Sequence, residues 1–194
     1  MVRLFAALAL PPWVAEALLP RQNGIAGARW RSTESLHVTL RFFGEVREDT
    51  ARDLDEQLAE ITGKPFEIAL KGAGAFGEAA ELQAVWAGVA ESPDLRRLAK
   101  ACEAAARRAG LAPDRRHYRP HVTLAYLRRP DPAEAAHWIQ ANNMLQSPPI
   151  PVTAFALFSS VLTRKGSHYR VEAEYPLGSV SPMPHGPSGS PAAR

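Results

Sequence analysis

Between residues 3 and 10 the chain is apolar at odd and even positions alike (Leu4-Phe5-Ala6-Ala7-Leu8-Ala9-Leu10), the pattern of a strand covered on both faces and hence central in its sheet. A short helix then opens at Pro12 and carries Trp13, Val14, Ala17 and Leu18. Residues 36–43 are rich in β-branched and aromatic side chains and predict a second strand. Over 49–62 the period changes: Ala51, Leu54, Leu58 and Ile61 fall on one helical stripe, which Gly63 stops. Phe66, Ile68 and Leu70 alternate as a half-buried strand, and residues 85–89 predict another. Ser92-Pro93-Asp94 caps a helix whose apolar face is Leu95, Leu98, Cys102 and Ala105, closed by Gly110. A strand follows over 118–127. Asp131-Pro132 then opens a helix through Trp138, with Glu134 as capping-box partner. Strands over 153–162 and 168–175 flank a turn at Lys165-Gly166. From Gly178 onward 11 of 17 residues are Gly, Ser or Pro, so a disordered tail (178–194) is expected behind a single domain of residues 1–177.

One tetrapeptide occurs twice inside predicted strands, as His37-Val38-Thr39-Leu40 and His121-Val122-Thr123-Leu124. Chance gives a second copy of a given tetrapeptide in this length odds of about one in a thousand. Each copy sits in a strand–helix–strand neighbourhood, which points to an internal duplication. Because a strand alternates faces, His and Thr of each copy share one face while Val and Leu turn to the other, toward a core. The result is a site of two imidazoles and two hydroxyls. One His can act as base while the other, protonated, acts as acid. With both pKa values at ~6.5, about 19% of molecules hold that pairing at pH 7. The Thr hydroxyls donate to anionic oxygens. Half-buried core histidines are the bland reading of a single His-x-Thr; two matched copies weigh against it. A metal held by His37 and His121 is poorly supported, since no carboxylate lies at ligand spacing and Thr is a poor zinc ligand.

Composition narrows the picture further. The chain is 46% hydrophobic and 22% charged, as globular proteins are, and its net charge of +3 suits an anionic ligand without demanding one. Its one cysteine, Cys102, excludes an intrachain disulfide. No apolar run is long enough to span a membrane. Met1-Val2-Arg3 before an apolar run imitates a secretion leader, but Pro11-Pro12 follows without a small-x-small cleavage site. A cytoplasmic monomer is expected.

These residues resemble the 2H phosphoesterases, named for two His-x-Thr/Ser motifs, and among them the RNA 2′,3′-cyclic phosphodiesterases of the 2′-5′ RNA ligase type. Residues 3–8 are similar to the family's first strand, Leu36 through Val46 to its first motif, and Arg119 through Ala125 to its second. Ser160, Gly166 and Tyr169 match a pattern near its end. Phe43 replaces a more usual leucine. Tyr126 stands where many members carry an arginine, with Arg128 and Arg129 close enough in sequence to replace it. The resemblance implies hydrolysis of an RNA 2′,3′-cyclic phosphate end to a 2′-phosphate without metal or cofactor. It makes His37 the proton donor to the leaving 3′ oxygen and His121 the base that activates water. Thr39 and Thr123 would hold the non-bridging oxygens. In reverse, the same geometry would join a cyclic end to a 5′-hydroxyl through a 2′-5′ linkage. The alternatives are a 2H enzyme for another phosphodiester, such as 2′-5′ oligoadenylate or a cyclic ADP-ribose phosphate, and a non-catalytic RNA-end binder.

The expected fold is α+β: two lobes of antiparallel sheet related by a pseudo-two-fold, with helices outside and the cleft between. Candidate RNA contacts are Arg41, Arg115, Arg119, Arg128 and Tyr169; Trp30 and Phe76 are candidates for stacking a base. Gly72-Ala73-Gly74-Ala75-Phe76-Gly77 spells a dinucleotide fingerprint, yet a strand rather than a helix follows, so a hairpin loop is expected there. His117, His137, His168 and His185 have no paired partner and are given no catalytic role.

Overall fold

The computed structural model describes residues 1–77, 81–163 and 166–178. Part of the expected turn, at Lys165, and the expected tail beyond Gly178 lie outside the described residues. In chain order the elements are β1 (Val2–Ala9), α1 (Pro12–Leu18), β2 (Arg29–Trp30), β3 (His37–Val46), α2 (Glu48–Ala59), β4 (Phe66–Ile68) and β5 (Leu70–Phe76). There follow β6 (Ala84–Val89), α3 (Pro93–Arg108), β7 (His121–Tyr126), α4 (Pro132–Asn142), β8 (Ile150–Val152), β9 (Ala154–Thr163) and β10 (Gly166–Pro176). The fold is α+β with antiparallel pairing throughout.

Buried without interruption from Leu4 to Leu8, β1 lies between β3 and β9, as a strand apolar on both faces must. The main sheet runs β10-β9-β1-β3-β7-β6-β5, with β2 added beside β7. Its two halves are the two lobes: β10-β9-β1-β3 and β7-β6-β5. They meet at a single ladder pair, Val38 with Val122. The duplication is visible in the connections. From β3 the chain passes through α2 and β4 to β5 in the other half; from β7 it passes through α4 and β8 to β9 in the first. The two short strands of these matched segments, β4 and β8, pair with each other.

Period and caps explain most boundaries. Ser92 accepts from the Leu95 N–H at 3.2 Å and starts α3, whose Leu95, Leu98, Cys102 and Ala105 are buried as expected. Four details depart from the sequence expectation. The run Phe66–Leu70 is not one strand: the Ala69 carbonyl accepts from Ala90 N–H, and the chain leaves the β4–β8 pair for the main sheet. The second-motif strand begins at His121 rather than 118, because Pro120 has no N–H to give a ladder. Asp131 does cap α4, through Ala133 N–H at 2.8 Å, but Glu134 closes no capping box. It accepts from Ala26 N–H instead, at 2.7 Å, holding the loop before β2. The glycine-rich run is strand, not loop. A Cβ at Gly74 would run into the Trp86 ring across the pair, and only Gly77, at φ 90°, begins the turn.

One face of the sheet is covered by helices. Val38, Leu40, Val122 and Leu124 are buried there in one core with Leu54 and Leu58 of α2 and with the α3 face. Tyr175 Oη of β10 donates to Asp55 of α2 at 2.6 Å. His37, Thr39, His121 and Thr123 are half-buried on the opposite face.

Candidate active site

Both motifs open into one cleft of about 760 Å³, lined by His37, Thr39, His121 and Thr123 among others. Antiparallel register about the Val38–Val122 pair runs His37 toward Thr123 and Thr39 toward His121, so the four groups follow the pseudo-two-fold.

The two imidazoles are held alike. Nδ1 of His37 lies 2.8 Å from the Ser35 carbonyl and Nδ1 of His121 lies 2.7 Å from the Arg119 carbonyl, each two residues back along the chain. A carbonyl only accepts, so Nδ1 carries the proton in each neutral ring and Nε2 offers its lone pair. Their surroundings differ. His37 is walled by Phe5 at 4.9 Å, Tyr169 at 5.2 Å edge-on and Phe158 at 6.3 Å. His121 meets Phe76 edge-on at 4.7 Å and Trp86 at 6.2 Å.

Burial lowers the pKa of His37 to about 4, and the Arg31 and His121 charges add to the depression against the Ser35 carbonyl. Burial also lowers His121, as does the Arg119 charge, opposed by the Arg119 carbonyl. Unperturbed values of 6.5 therefore do not describe these two side chains. At pH 7 His37 is predominantly the neutral imidazole.

The cleft separates the candidate RNA contacts. Arg41 lines it, but its fork is engaged by Glu103 at 2.5 Å, by Asp114 at 3.5 Å and by the Ala112 carbonyl at 2.8 Å, which ties β3 to α3 and the loop after it. Arg119 lines the cleft with its guanidinium 4.7 Å from the Trp86 ring centre. Tyr169 lines it too, opposite Ser160 in the β9–β10 ladder. Arg115, Arg128 and Arg129 are exposed and outside the lining. Phe76 sits against His121, whereas Trp30 packs toward Trp138 at 6.2 Å.

Sequence reasoning missed Arg31, the residue after β2. Its backbone N–H donates to the Leu124 carbonyl at 2.9 Å, and its guanidinium lies 5.6 Å from the Tyr126 ring centre and 5.0 Å from that of Tyr169. Nothing local marks it, because both rings arrive from distant strands. Cys102 lies in the core, where burial pushes its thiol up to about 12. Among the described residues no group of three His, Cys, Asp or Glu side chains is placed to hold a metal ion, and no helix is long and apolar enough to cross a membrane.

Comparison with known proteins gives the chain's relatives. Residues 16–163 match the model of the 2′-5′ RNA ligase superfamily. The RNA 2′,3′-cyclic phosphodiesterase of Archaeoglobus fulgidus is 32% identical over 172 residues, 87% of this chain and 97% of that protein. Its namesake from Aeropyrum pernix is 35% identical over 140 residues, 71% and 79% of the two chains. Escherichia coli LigT, solved in complex with 3′-AMP, superposes with a TM-score of 0.71 at 25% identity, covering 92% of this chain and 99% of its own.

Proposed function

The chain belongs to the 2′-5′ RNA ligase superfamily, and we propose that it is an RNA 2′,3′-cyclic phosphodiesterase working by proton transfer between two histidines. The observation that carries this reading is the matched anchoring of His37 and His121, each with Nδ1 on its own backbone carbonyl and Nε2 left for chemistry. The relatives named above are cyclic phosphodiesterases by name, and the substrate class follows theirs.

The cyclic phosphate lies between the motifs. His121 Nε2 takes a proton from water as the water oxygen attacks phosphorus. The bond from phosphorus to O3′ breaks, and His37 Nε2–H gives its proton to O3′, leaving a 2′-phosphate and a 3′-hydroxyl. Thr39 and Thr123 donate to the non-bridging oxygens as charge builds on them. The pKa of His37 is lowered by burial, so its acid role depends on the substrate: an anion beside the ring favours the imidazolium and raises that pKa. If a 5′-hydroxyl replaces water, the same steps give a 2′-5′ linkage.

The decisive experiment incubates the protein with a 2′,3′-cyclic mononucleotide in EDTA and identifies the product. We expect the 2′-phosphate, at a rate EDTA leaves unchanged. Activity lost in EDTA and restored by zinc or manganese would overturn the two-histidine mechanism, and a 3′-phosphate would overturn the leaving-group assignment.

A further inference from the structure

We infer that Arg31 is a phosphate-binding residue of this site, a cation placed at the end of β2 and held by two tyrosine rings so that it faces an anion in the cleft. The inference deepens the reading above and rests on it for the identity of the anion: a non-bridging oxygen of the cyclic phosphate, and of the phosphomonoester it becomes.

Three observations carry it. First, position: Arg31 lines the cleft with both motifs, and its backbone is pinned from two sides, by its N–H on the Leu124 carbonyl and by Gln22 Nε2 donating to its own carbonyl at 2.9 Å. It thus follows the second motif strand, while its guanidinium reaches Tyr169 of the other half. Second, its charge is unspent. The cleft's other arginines with acidic neighbours are committed: Arg41 to Glu103 and Asp114, Arg116 to Asp114, and Arg96 to Glu91. Arg31 forms no such pair among the described residues, and its Nη2 is buried with no hydrogen-bond partner. A guanidinium nitrogen buried without an acceptor is unfavourable unless a ligand supplies one. Third, its packing selects a ligand in the plane of the fork. Ring faces attract the cation without accepting its N–H groups as a carboxylate would, so Tyr126 and Tyr169 orient Arg31 and leave its donors for a tetrahedral anion. Tyr126 stands where the resemblance led one to look for an arginine. In this chain a guanidinium reaches the Tyr126 ring from Arg31, two residues beyond the Arg29 that pairs with Tyr126.

The test separates anion binding from catalysis. Binding of inorganic phosphate is measured by calorimetry on the wild type, Arg31→Met and Arg31→Lys, beside kcat and KM for a 2′,3′-cyclic mononucleotide. We expect Arg31→Met to weaken phosphate binding at least tenfold and lower kcat/KM by about 10²-fold, with Arg31→Lys in between because it keeps charge but loses the fork. The pH profile gives a reading that a merely structural role would not: without the Arg31 charge, the His37 limb moves to higher pH. Tyr126→Arg placed on Arg31→Met should recover at least tenfold in phosphate binding. Unchanged phosphate binding in folded Arg31→Met, or no recovery in the double variant, overturns the inference. Phosphate binding lost with Arg31 in a protein that does not hydrolyse cyclic nucleotides would leave Arg31 an anion site and overturn the enzymatic reading alone.

Discussion

At the scale of single residues, the two histidines are chemically equivalent by anchoring and unequal by surroundings. Because kcat/KM reports the free enzyme, both limbs of its pH profile should fall below 6.5, one of them near pH 4. The limbs of kcat should lie higher, since the bound anion favours each imidazolium. Coincident kcat and kcat/KM profiles would contradict this. His37→Ala and His121→Ala should each cost at least 10²-fold, each losing one limb, with the double variant far short of the product. A nitrophenyl phosphodiester, whose leaving group needs no proton, should rescue His37→Ala much more than His121→Ala; the opposite ranking would reverse the roles. The paired His and Thr were legible in sequence because strand alternation is a local rule. The ring wall around His37 was not. Phe5, Phe158 and Tyr169 meet only through the ladders of β1 with β9 and β9 with β10, which no local pattern encodes. Lowered pKa values follow from that wall and were equally hidden.

Elements show where local rules give way to neighbours. Caps and stripes fixed α2, α3 and α4 to within a few residues, since helices carry their start signals with them. The alternation Phe66, Ile68, Leu70 was real, yet its residues serve two sheets, and only the partners β8 and β6 decide that. Glycine spacing misled for a related reason: Gly74 is small because Trp86 lies over it, not because a ligand approaches. Gly74→Ala should therefore destabilise by about 1–3 kcal/mol through overpacking. It should also lower kcat/KM, because the displaced Trp86 ring lies against His121. Gly110→Ala, at φ 80° with open space around it, should cost about 1 kcal/mol and leave kinetics alone. Urea unfolding and steady-state rates of the two variants check this; equal kinetic effects would mean that Trp86 does not support the site.

For the whole molecule, the cleft gathers cations from both halves, Arg3 of β1 on one side and Arg31 and Arg119 beside β7 on the other, with Lys100 of α3, as the lining of a groove for a polyanion. KM for a short oligoribonucleotide with a cyclic end should accordingly rise with salt more steeply than KM for a cyclic mononucleotide. The log–log slope should differ by about 0.7 for each additional phosphate held. Equal slopes would confine recognition to the terminal nucleotide. The wall beside His37 also has a consequence for truncation. Phe5 comes from β1 and Tyr169 from β10, and both lie outside residues 16–163, the stretch that matches the superfamily model. A shortened gene can therefore keep both tetrapeptides intact, satisfy any motif count, and still encode a protein whose first histidine has lost two of its three ring neighbours.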